Sequence, residues 1–267
     1  MATSSFPQRP SSDSYEAVII GGATSGSAIA WFLVSNPDFK GKVLVVEKDP
    51  SLAYSATQAS NNCMRQQFAT EINVKISQYA AEFVKDFRKN LKYEDDDDIP
   101  DIPIRDFGHL YLADNSGSIT FKTGKSISVG NVINAAGTRT AGVSRLAGMN
   151  LPNFDDFSYA KDVWNLKMLP VLKKRVPQFS TSKATHSWMG HYEFKIFGHN
   201  AIIGPHTEVS NLLFCVVFSG HGSQQSPACG RGVAELITYG EFRTLDLSAL
   251  SYRRISCNEP LMERAVI

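Results

Sequence analysis

The stretch VIIGGATSGSAIA, at residues 18–30, constrains the fold of this chain more than any other feature. An apolar run meets paired glycines, and a second apolar run typical of a helix follows. The G-x-G-x-x-G fingerprint of dinucleotide-binding folds places Gly21, Ala23 and Gly26 in its three glycine positions. Gly21 suits the tight turn and Gly26 the close packing of helix on strand, whereas Ala23 adds a methyl where a pyrophosphate would approach. Because Gly22 leaves room for local adjustment, the loop still predicts a dinucleotide site.

A carboxylate at the expected distance supports this prediction. Residues 16–47 are typical of a β-α-β unit, and its second strand ends at Glu47, 21 residues after Gly26. A carboxylate there accepts hydrogen bonds from both ribose hydroxyls of an adenosine and repels a 2′-phosphate. The pattern favours FAD or NAD over NADP and places Glu47 and its neighbour Lys48 at the cofactor. The alternative is a tight turn in an ordinary α/β core.

The charge balance and the cysteines narrow the class of protein. A net charge of +1 without a basic run gives no electrostatic basis for binding nucleic acid. The four cysteines lie far apart, which argues against a zinc site or redox pair and suits a reducing compartment. The histidines match no metal-site spacing, so we expect no metal.

The apolar segments of the chain bear on its location. None approaches the roughly 20 apolar residues that span a bilayer. Residues 1–14 are polar and rich in Pro and Ser, which is typical of a disordered tail and unlike a secretory signal. We therefore expect a soluble intracellular protein of the cytoplasm.

Further along the chain, the spacing of apolar residues predicts three more helices. The first begins after Thr70, placed as its cap, and its apolar positions recur to Leu91. The second lies within 150–182, around the segment 162–176, and is broken or kinked by Pro170. The third covers 227–240, with Pro227 in its first position, Ser226 as cap and Gly240 beyond its end. Strands are predicted over 108–114, 117–137, 200–206 and 212–222, and the acidic run at 94–98 predicts a solvated loop.

Four longer motifs follow one another in order: SATQASNNCMRQQF (55–68), VINAAGTRTAGVSRLAG (132–148), WMGHYEFKIFGHNAIIGPH (188–206) and FSGHGSQQSPACGRGVAELITYGEFRTLDLS (218–248). Together they closely resemble the D-amino-acid-oxidase and sarcosine-oxidase (DAO) family of FAD-dependent oxidoreductases, in particular its branch of FAD-dependent oxidoreductase domain-containing proteins. The short-chain dehydrogenases are excluded, because none of the nine tyrosines has a lysine four positions later.

The resemblance implies an α/β fold: a Rossmann-like FAD-binding domain with a central parallel sheet, and a strongly reduced antiparallel substrate domain. After a tail at 1–14, the FAD-binding domain would be discontinuous and the remnant of the substrate domain would interrupt it. The implied boundaries are 15–92, 126–148 and 186–250 for the FAD-binding domain, 99–125 and 149–185 for the remnant, and 251–267 for a second tail.

Family members also suggest which residues contact the cofactor. The end of the NAAG strand would pass beside FAD, and the Phe218–Gly222 loop would run along the isoalloxazine ring. The helix after that loop would then aim its N-terminus at the N1/O2 edge of the ring, where reduced flavin carries negative charge. Besides the loop residues and Glu47 named above, the cofactor residues implied in this way are Ser60, Ala136, Gly137, Gly220, His221, Gly222, Gln224 and Gln225.

Three residues are candidates for contact with substrate. Arg65 offers a guanidinium that binds a carboxylate in bidentate fashion, with a surface or adenosine-side arginine as the alternative. His221 lies in a glycine loop and Tyr192 near the implied pocket, with a structural role as the alternative for both. His191 stands where sarcosine oxidases carry the cysteine that attaches flavin, so the resemblance implies non-covalent FAD.

The chain is shorter than the family pattern at two places. Relatives insert a large antiparallel domain after GHLYLAD and again after LAG, where this chain keeps only short connections. The expected activity is oxidation of a C–N bond of an amine or amino acid by hydride transfer to flavin, in a specialised secondary pathway. The alternatives are a flavin-binding or interaction module with impaired catalysis, and an incomplete version of a full-length oxidase. Since a reduced substrate half uncovers apolar surface, we also expect self-association or a protein partner.

Overall fold

The computed structural model describes residues 10–91, 102–105, 117–120, 126–129, 162–190, 192–208 and 211–265. Six short strands and seven helices are assigned within these ranges. The strands are β1 Ala17–Ile20, β2 Val43–Val46, β3 Gly117–Thr120, β4 Ser126–Val129, β5 Ile202–Pro205 and β6 Leu213–Val216, and the helices are α1 Thr24–Val34, α2 Ala56–Ala59, α3 Glu71–Lys85, α4 Phe87–Asn90, α5 Leu169–Arg175, α6 Gly222–Tyr239 and α7 Arg253–Ser256.

The predicted β-α-β unit is confirmed. β1 and β2 pair in parallel, with Ala17 opposite Val43 and Ile20 opposite Val46, and α1 connects them. Gly21 has a φ of +104°, in the region where residues with a side chain are strained. Its amide donates to the Val46 carbonyl over 2.8 Å, which joins the glycine loop to the end of β2.

The core lies where α1 and α6 cross. On α1, Ile29 and Leu33 are buried one helical repeat apart and face the buried Val233 of α6 in one cluster. The two helices approach very closely, because a Cβ placed on Gly230 would lie 2.6 Å from the Cβ of Ala28. α3 packs on α6 from another side. This packing brings the beginnings of α1 and α6 together.

One predicted boundary is wrong in each of two helices, the start of α6 and the end of α3. α6 begins at Gly222, so Pro227 lies inside the helix and not in its first position. Pro227 is the sixth residue of α6, so the helix lacks the hydrogen bond from this position to the carbonyl of Ser223 and continues to Tyr239. The prediction failed because side chains of the first turn bond to other segments and extend the helix upstream. Gly240 does follow its end.

The helix predicted from Thr70 to Leu91 is α3, which ends at Lys85, with the short α4 after Asp86. Thr70 stands in the cap position, but its side chain makes no capping bond to the helix. Its hydroxyl instead donates to the Glu263 carboxylate over 2.7 Å. The capping prediction was therefore wrong in its mechanism, because a distant carboxylate competes for the hydroxyl.

Two antiparallel hairpins, β3 with β4 and β5 with β6, account for the other strands described. The helical prediction around 162–176 is confirmed, as a π-helical turn at Trp164–Met168 that runs into α5 with Pro170 in its first turn. The strand predicted at 108–114, the acidic loop at 94–98 and the NAAG segment lie outside the described residues. Within the described residues, no helix is long and apolar enough to cross a membrane.

The contact between Gly26 and the glycine loop yields the first testable prediction. A Cβ on Gly26 would lie 1.8 Å from the carbonyl oxygen of Gly21, so Gly26→Ala must push α1 away from β1. We expect the free energy of unfolding, measured by urea denaturation, to fall by about 2–4 kcal/mol. Gly22→Ala is the matched control, since its Cβ would meet no atom nearer than 3.3 Å. Equal urea midpoints for the two variants would contradict the packing described here.

Candidate functional site

A cleft of about 610 Å³ opens between the glycine loop and the β6 strand. Residues of β1, α1, α2, β6 and the start of α6 line it. Of the predicted cofactor residues, those in its lining are Gly21, Ala23, Gly26, Ser60, Gly220 and Gly222. The structure therefore brings together two motifs that are almost 200 positions apart in the chain.

Glu47 lies beside the glycine loop, as the β-α-β prediction requires. Its Oε2 accepts from the amide of Gly22 over 2.7 Å, and its Oε1 accepts from the amide of Asp49 over 3.0 Å. Each carboxylate oxygen can accept a second hydrogen bond, so acceptor capacity remains for hydroxyl groups of a ligand. Lys48, next along the chain, is exposed.

Two helix N-termini meet at the cleft. The Oγ atom of Ser25, in the first turn of α1, lies 2.9 Å from the Oγ atom of Ser226, which is one turn into α6. The residues in the two cap positions, Ala23 and His221, make no side-chain capping bond, so they leave amides of both first turns available. Free amides and two positive helix ends favour a negatively charged ligand. This arrangement fits the pyrophosphate of a dinucleotide at α1 and an anionic ring edge at α6.

A strained turn precedes α6. Val217, Ser219 and Gly220 have φ values of +59°, +49° and +83°. Such conformations cost of order 1–3 kcal/mol each for residues with a side chain and persist only when neighbours enforce them. They are frequent at ligand sites, which is consistent with the lining position of Gly220.

Two residues of the third motif hold this turn in place. The Glu193 carboxylate accepts from the amides of Val217 and Phe218, the latter over 3.2 Å, and the Tyr192 hydroxyl donates to the Ser219 carbonyl over 2.9 Å. A Cβ on Gly220 would lie 2.6 Å from the Tyr192 ring. Burial raises the pKa of both Tyr192 and Glu193. Sequence reasoning missed Glu193, because its neighbours in the sequence do not indicate that it accepts from the amides of Val217 and Phe218.

Arg65 and His221 form one buried cluster. Arg65 Nη2 lies 3.1 Å from His221 Nε2, and the guanidinium also donates to the carbonyls of Gln67 and Ala265. Because a guanidinium cannot accept a hydrogen bond, Nε2 must be the acceptor. His221 Nδ1 is then protonated and donates to the Phe218 carbonyl over 3.1 Å. Burial, followed by the charge of Arg65, lowers the pKa of His221 to about 4.

Gln224 and Gln225 turn their side chains into the protein. Gln224 Oε1 accepts from the amide of Arg65 over 2.9 Å, and Gln225 Nε2 donates to Asn73 Oδ1 over 3.0 Å. These contacts fix the first turn of α6 from two sides. Whether either side chain also contacts a flavin stays a prediction.

The remaining site predictions fall on other parts of the chain. Ala136, Gly137 and His191 lie outside the described residues. The described ranges contain no group of three or more His, Cys, Asp or Glu side chains that could hold a metal ion.

Comparison with known proteins identifies a family to which this chain is similar. The sequence model of the family described as FAD dependent oxidoreductase (DAO) matches residues 16–121 and 97–236, which together are most of the chain. Among solved structures, the L-proline dehydrogenase from P. horikoshii has a similar fold, with a TM-score of 0.59, 17% sequence identity, and coverage of 91% of this chain and 98% of that one. That identity supports a shared fold only.

The similar proteins include relatives named FAD-dependent oxidoreductase domain-containing protein 1. The Xenopus laevis protein is 24% identical over 423 residues, covering 94% of this chain and 85% of the frog protein. The Bos taurus protein is 41% identical over 106 residues, and the Drosophila melanogaster homolog is 43% identical over 94 residues. These two matches cover 40% and 35% of this chain, and 22% and 18% of the relatives.

These findings agree with the site. The glycine loop, the Glu47 carboxylate and the paired helix N-termini fit a flavin dinucleotide, and the resemblance read from the four motifs is confirmed. The chain belongs to the DAO family of FAD-dependent oxidoreductases, and its cofactor is FAD.

Proposed function

We propose that this chain oxidises a C–N bond of an amine or amino acid and binds its FAD without a covalent bond. The observation that carries the proposal is the meeting of two helix N-termini at one cleft, with Glu47 beside one of them and a strained turn beside the other. The name of the structural neighbour, an L-proline dehydrogenase, supports an amino acid as the class of substrate. A specialised secondary pathway remains part of the proposal.

Different parts of the cofactor would be held by Glu47, beside the glycine loop, and by the two helix N-termini at the cleft. Glu47 accepts hydrogen bonds from the ribose hydroxyls, and the N-terminus of α1 faces the pyrophosphate. The N-terminus of α6 stabilises negative charge at the N1/O2 edge of the ring. FAD, when bound, would supply a hydride acceptor for the substrate carbon, and water would hydrolyse the protonated imine that remains.

The three candidates for contact with substrate make structural contacts around the turn before α6. Both ring nitrogens of His221 are engaged, by Arg65 and by the Phe218 carbonyl, so His221 is not poised to accept a proton from substrate. Arg65 is 6% exposed, and its guanidinium donates to two backbone carbonyls. Both facts favour a structural role for Arg65 over pairing with a substrate carboxylate. Tyr192 holds the turn at Ser219. We propose that these residues fix the turn along which the flavin ring lies.

The alternative function is a flavin-binding or interaction module with impaired catalysis, or an incomplete version of a full-length oxidase. One observation favours it: the frog alignment runs over 423 residues although this chain has 267, so a large part of the frog protein stands opposite gaps. A flavin whose substrate side lacks cover loses the water-excluding pocket that positions an amine. The alternative therefore predicts slow or absent turnover and self-association or a protein partner.

The proposed function is tested by spectroscopy of the purified protein. We expect a flavin absorption spectrum, complete release of the flavin on acid precipitation, and bleaching by at least one member of an amine and amino-acid panel without oxygen. Flavin left on the precipitated chain would contradict non-covalent binding. Bound flavin that no panel member reduces, in a protein shown by light scattering to self-associate, would favour the alternative.

Glu47 provides a prediction about affinity. Glu47→Ala removes the ribose acceptor and the two amide contacts that shape the loop. We expect the Kd for FAD, measured by fluorescence titration, to rise about tenfold or more, because hydrogen bonds to a charged group contribute about 1.5–3 kcal/mol. The exposed Glu82→Gln on α3 is the control and should leave the Kd unchanged. Equal affinities of the two variants would place the adenosine elsewhere.

His221 provides a prediction about pH. The pKa of His221 in the folded chain is about 4, below the ordinary value of 6.5. Between pH 4 and pH 6.5 the imidazole is therefore protonated in the unfolded chain and neutral in the folded chain. The contribution of His221 to stability is therefore complete above pH 6.5 and is lost as the pH falls toward 4. We expect imidazole NMR signals of His221 to show the Nδ1–H tautomer unchanged from pH 8 to about pH 5. The urea-denatured chain is the control, and a folded-state midpoint near 6.5 would refute the buried cluster.

A further inference from the structure

A buried carboxylate near the end of the described chain connects to the flavin site through hydrogen bonds alone. Glu263 is fully buried. Its two oxygens accept from the amides of Ala69, Thr70 and Ala265, from the Thr70 hydroxyl and from Asn73 Nδ2, at 2.7–3.0 Å. These bonds lower the pKa of Glu263 to about 2 against the opposing effect of burial. Glu263 is thus an ionised group that can only accept hydrogen bonds.

The first connection runs from Glu263 to α6 through Asn73. Because Glu263 only accepts, the amide nitrogen of Asn73 must face it, at 2.9 Å, and the Asn73 carbonyl oxygen must face away. That oxygen accepts from Gln225 Nε2 over 3.0 Å, which fixes the orientation of the Gln225 amide as well. Asn73 and Gln225 are 1% and 2% exposed, so water does not offer an alternative partner. The charge at Glu263 therefore sets the polarity of a side chain in the first turn of α6.

The second connection runs through the backbone of the same segment. The carbonyl of Ala265 accepts from Arg65 Nη2, and the same nitrogen lies 3.1 Å from His221 Nε2. The amide of Arg65 in turn donates to Gln224 Oε1. The two connections thus end on His221, Gln224 and Gln225, which lie together at the beginning of α6.

The segment itself is fixed by the loop before β5. The amide of Glu263 donates to the Gly198 carbonyl over 2.9 Å, and Asn200 Nδ2 donates to the Leu261 carbonyl over 2.9 Å. A Cβ on Gly198 would lie 2.3 Å from the Leu261 oxygen, so the two backbones are in direct contact. The 261–265 segment is therefore bound to the loop before β5 by backbone hydrogen bonds and close packing.

We propose that the 261–265 segment is part of the flavin-binding apparatus, with Glu263 as the positioning residue for the N-terminus of α6. The proposal rests on the proposed placement of the flavin ring at that N-terminus. In the part of the chain that the structure describes, the hydrogen bonds that lead from Glu263 to the beginning of α6 run through Asn73 and through the Arg65 cluster. The effect of Glu263 should therefore fall on the ring end of FAD and not on the adenosine end, where Glu47 acts.

The test compares FAD with ADP as ligands of full-length variants. Glu263→Gln keeps the size of the side chain but places donors where amides already point. We expect its Kd for FAD to rise about tenfold or more and the visible flavin bands to shift, while its Kd for ADP stays within about twofold of the starting value. The matched control is the exposed Glu259→Gln, which should change neither affinity. Equal weakening of FAD and ADP, or unchanged FAD binding, would overturn the proposal.

Two further measurements keep the outcome decisive. If Glu263→Gln does not fold, Thr70→Val removes a single donor to the same carboxylate and should raise the Kd for FAD by about two- to fivefold without changing that for ADP. In the protein without added flavin, NMR signals of the Gln225 amide and the His221 ring should move in Glu263→Gln and stay fixed in Glu259→Gln. Fixed signals in both would refute positioning, whereas moving signals in a protein that binds no FAD would refute only the proposed function.

Discussion

The close contact between Gly26 and the carbonyl of Gly21 is the constraint on which the rest of the molecule depends. It lets α1 begin directly against the end of β1, so that the first amides of the helix open onto the cleft. A second close contact, between Gly230 and Ala28, packs α6 against α1 so that the two helices begin close to each other. The site is therefore defined by two places where backbones approach more closely than any side chain would permit.

Carboxylates near the close-packed helices hold the loops of the site in place. Three carboxylates, Glu47, Glu193 and Glu263, each accept from at least two backbone amides of a loop at the site. Such bonds are stronger than those between neutral groups and leave little freedom to the loops they hold. Catalysis by a flavin depends on orientation and local charge, so a rigid surround is consistent with the proposed chemistry.

The sequence predicted features that depend on neighbouring residues and did not predict those that depend on contacts between residues far apart in the chain. The β-α-β unit, the role of Gly26 and the position of Glu47 follow from spacing within one stretch of about 30 residues, and they were predicted correctly. The beginning of α6 was misplaced because local preference for proline in a first position was weaker than the contacts of Gln224 and Gln225 with segments more than 150 positions away. Glu193 and Glu263 were not predicted at all, since nothing in their own neighbourhood indicates which amides they accept from.

The meeting of two helix N-termini affects the stability of the protein and therefore its abundance in a cell. Each end carries a partial positive charge of about half an elementary charge, and Ser25 and Ser226 hold the two ends side by side. Two positive ends side by side repel each other, which disfavours the folded chain. A bound dinucleotide, with its pyrophosphate at α1 and its ring edge at α6, would offset that repulsion and so stabilise the fold. Chains made when flavin is scarce would unfold more often and be degraded sooner. The abundance of this protein should therefore follow the flavin supply of the cell that makes it.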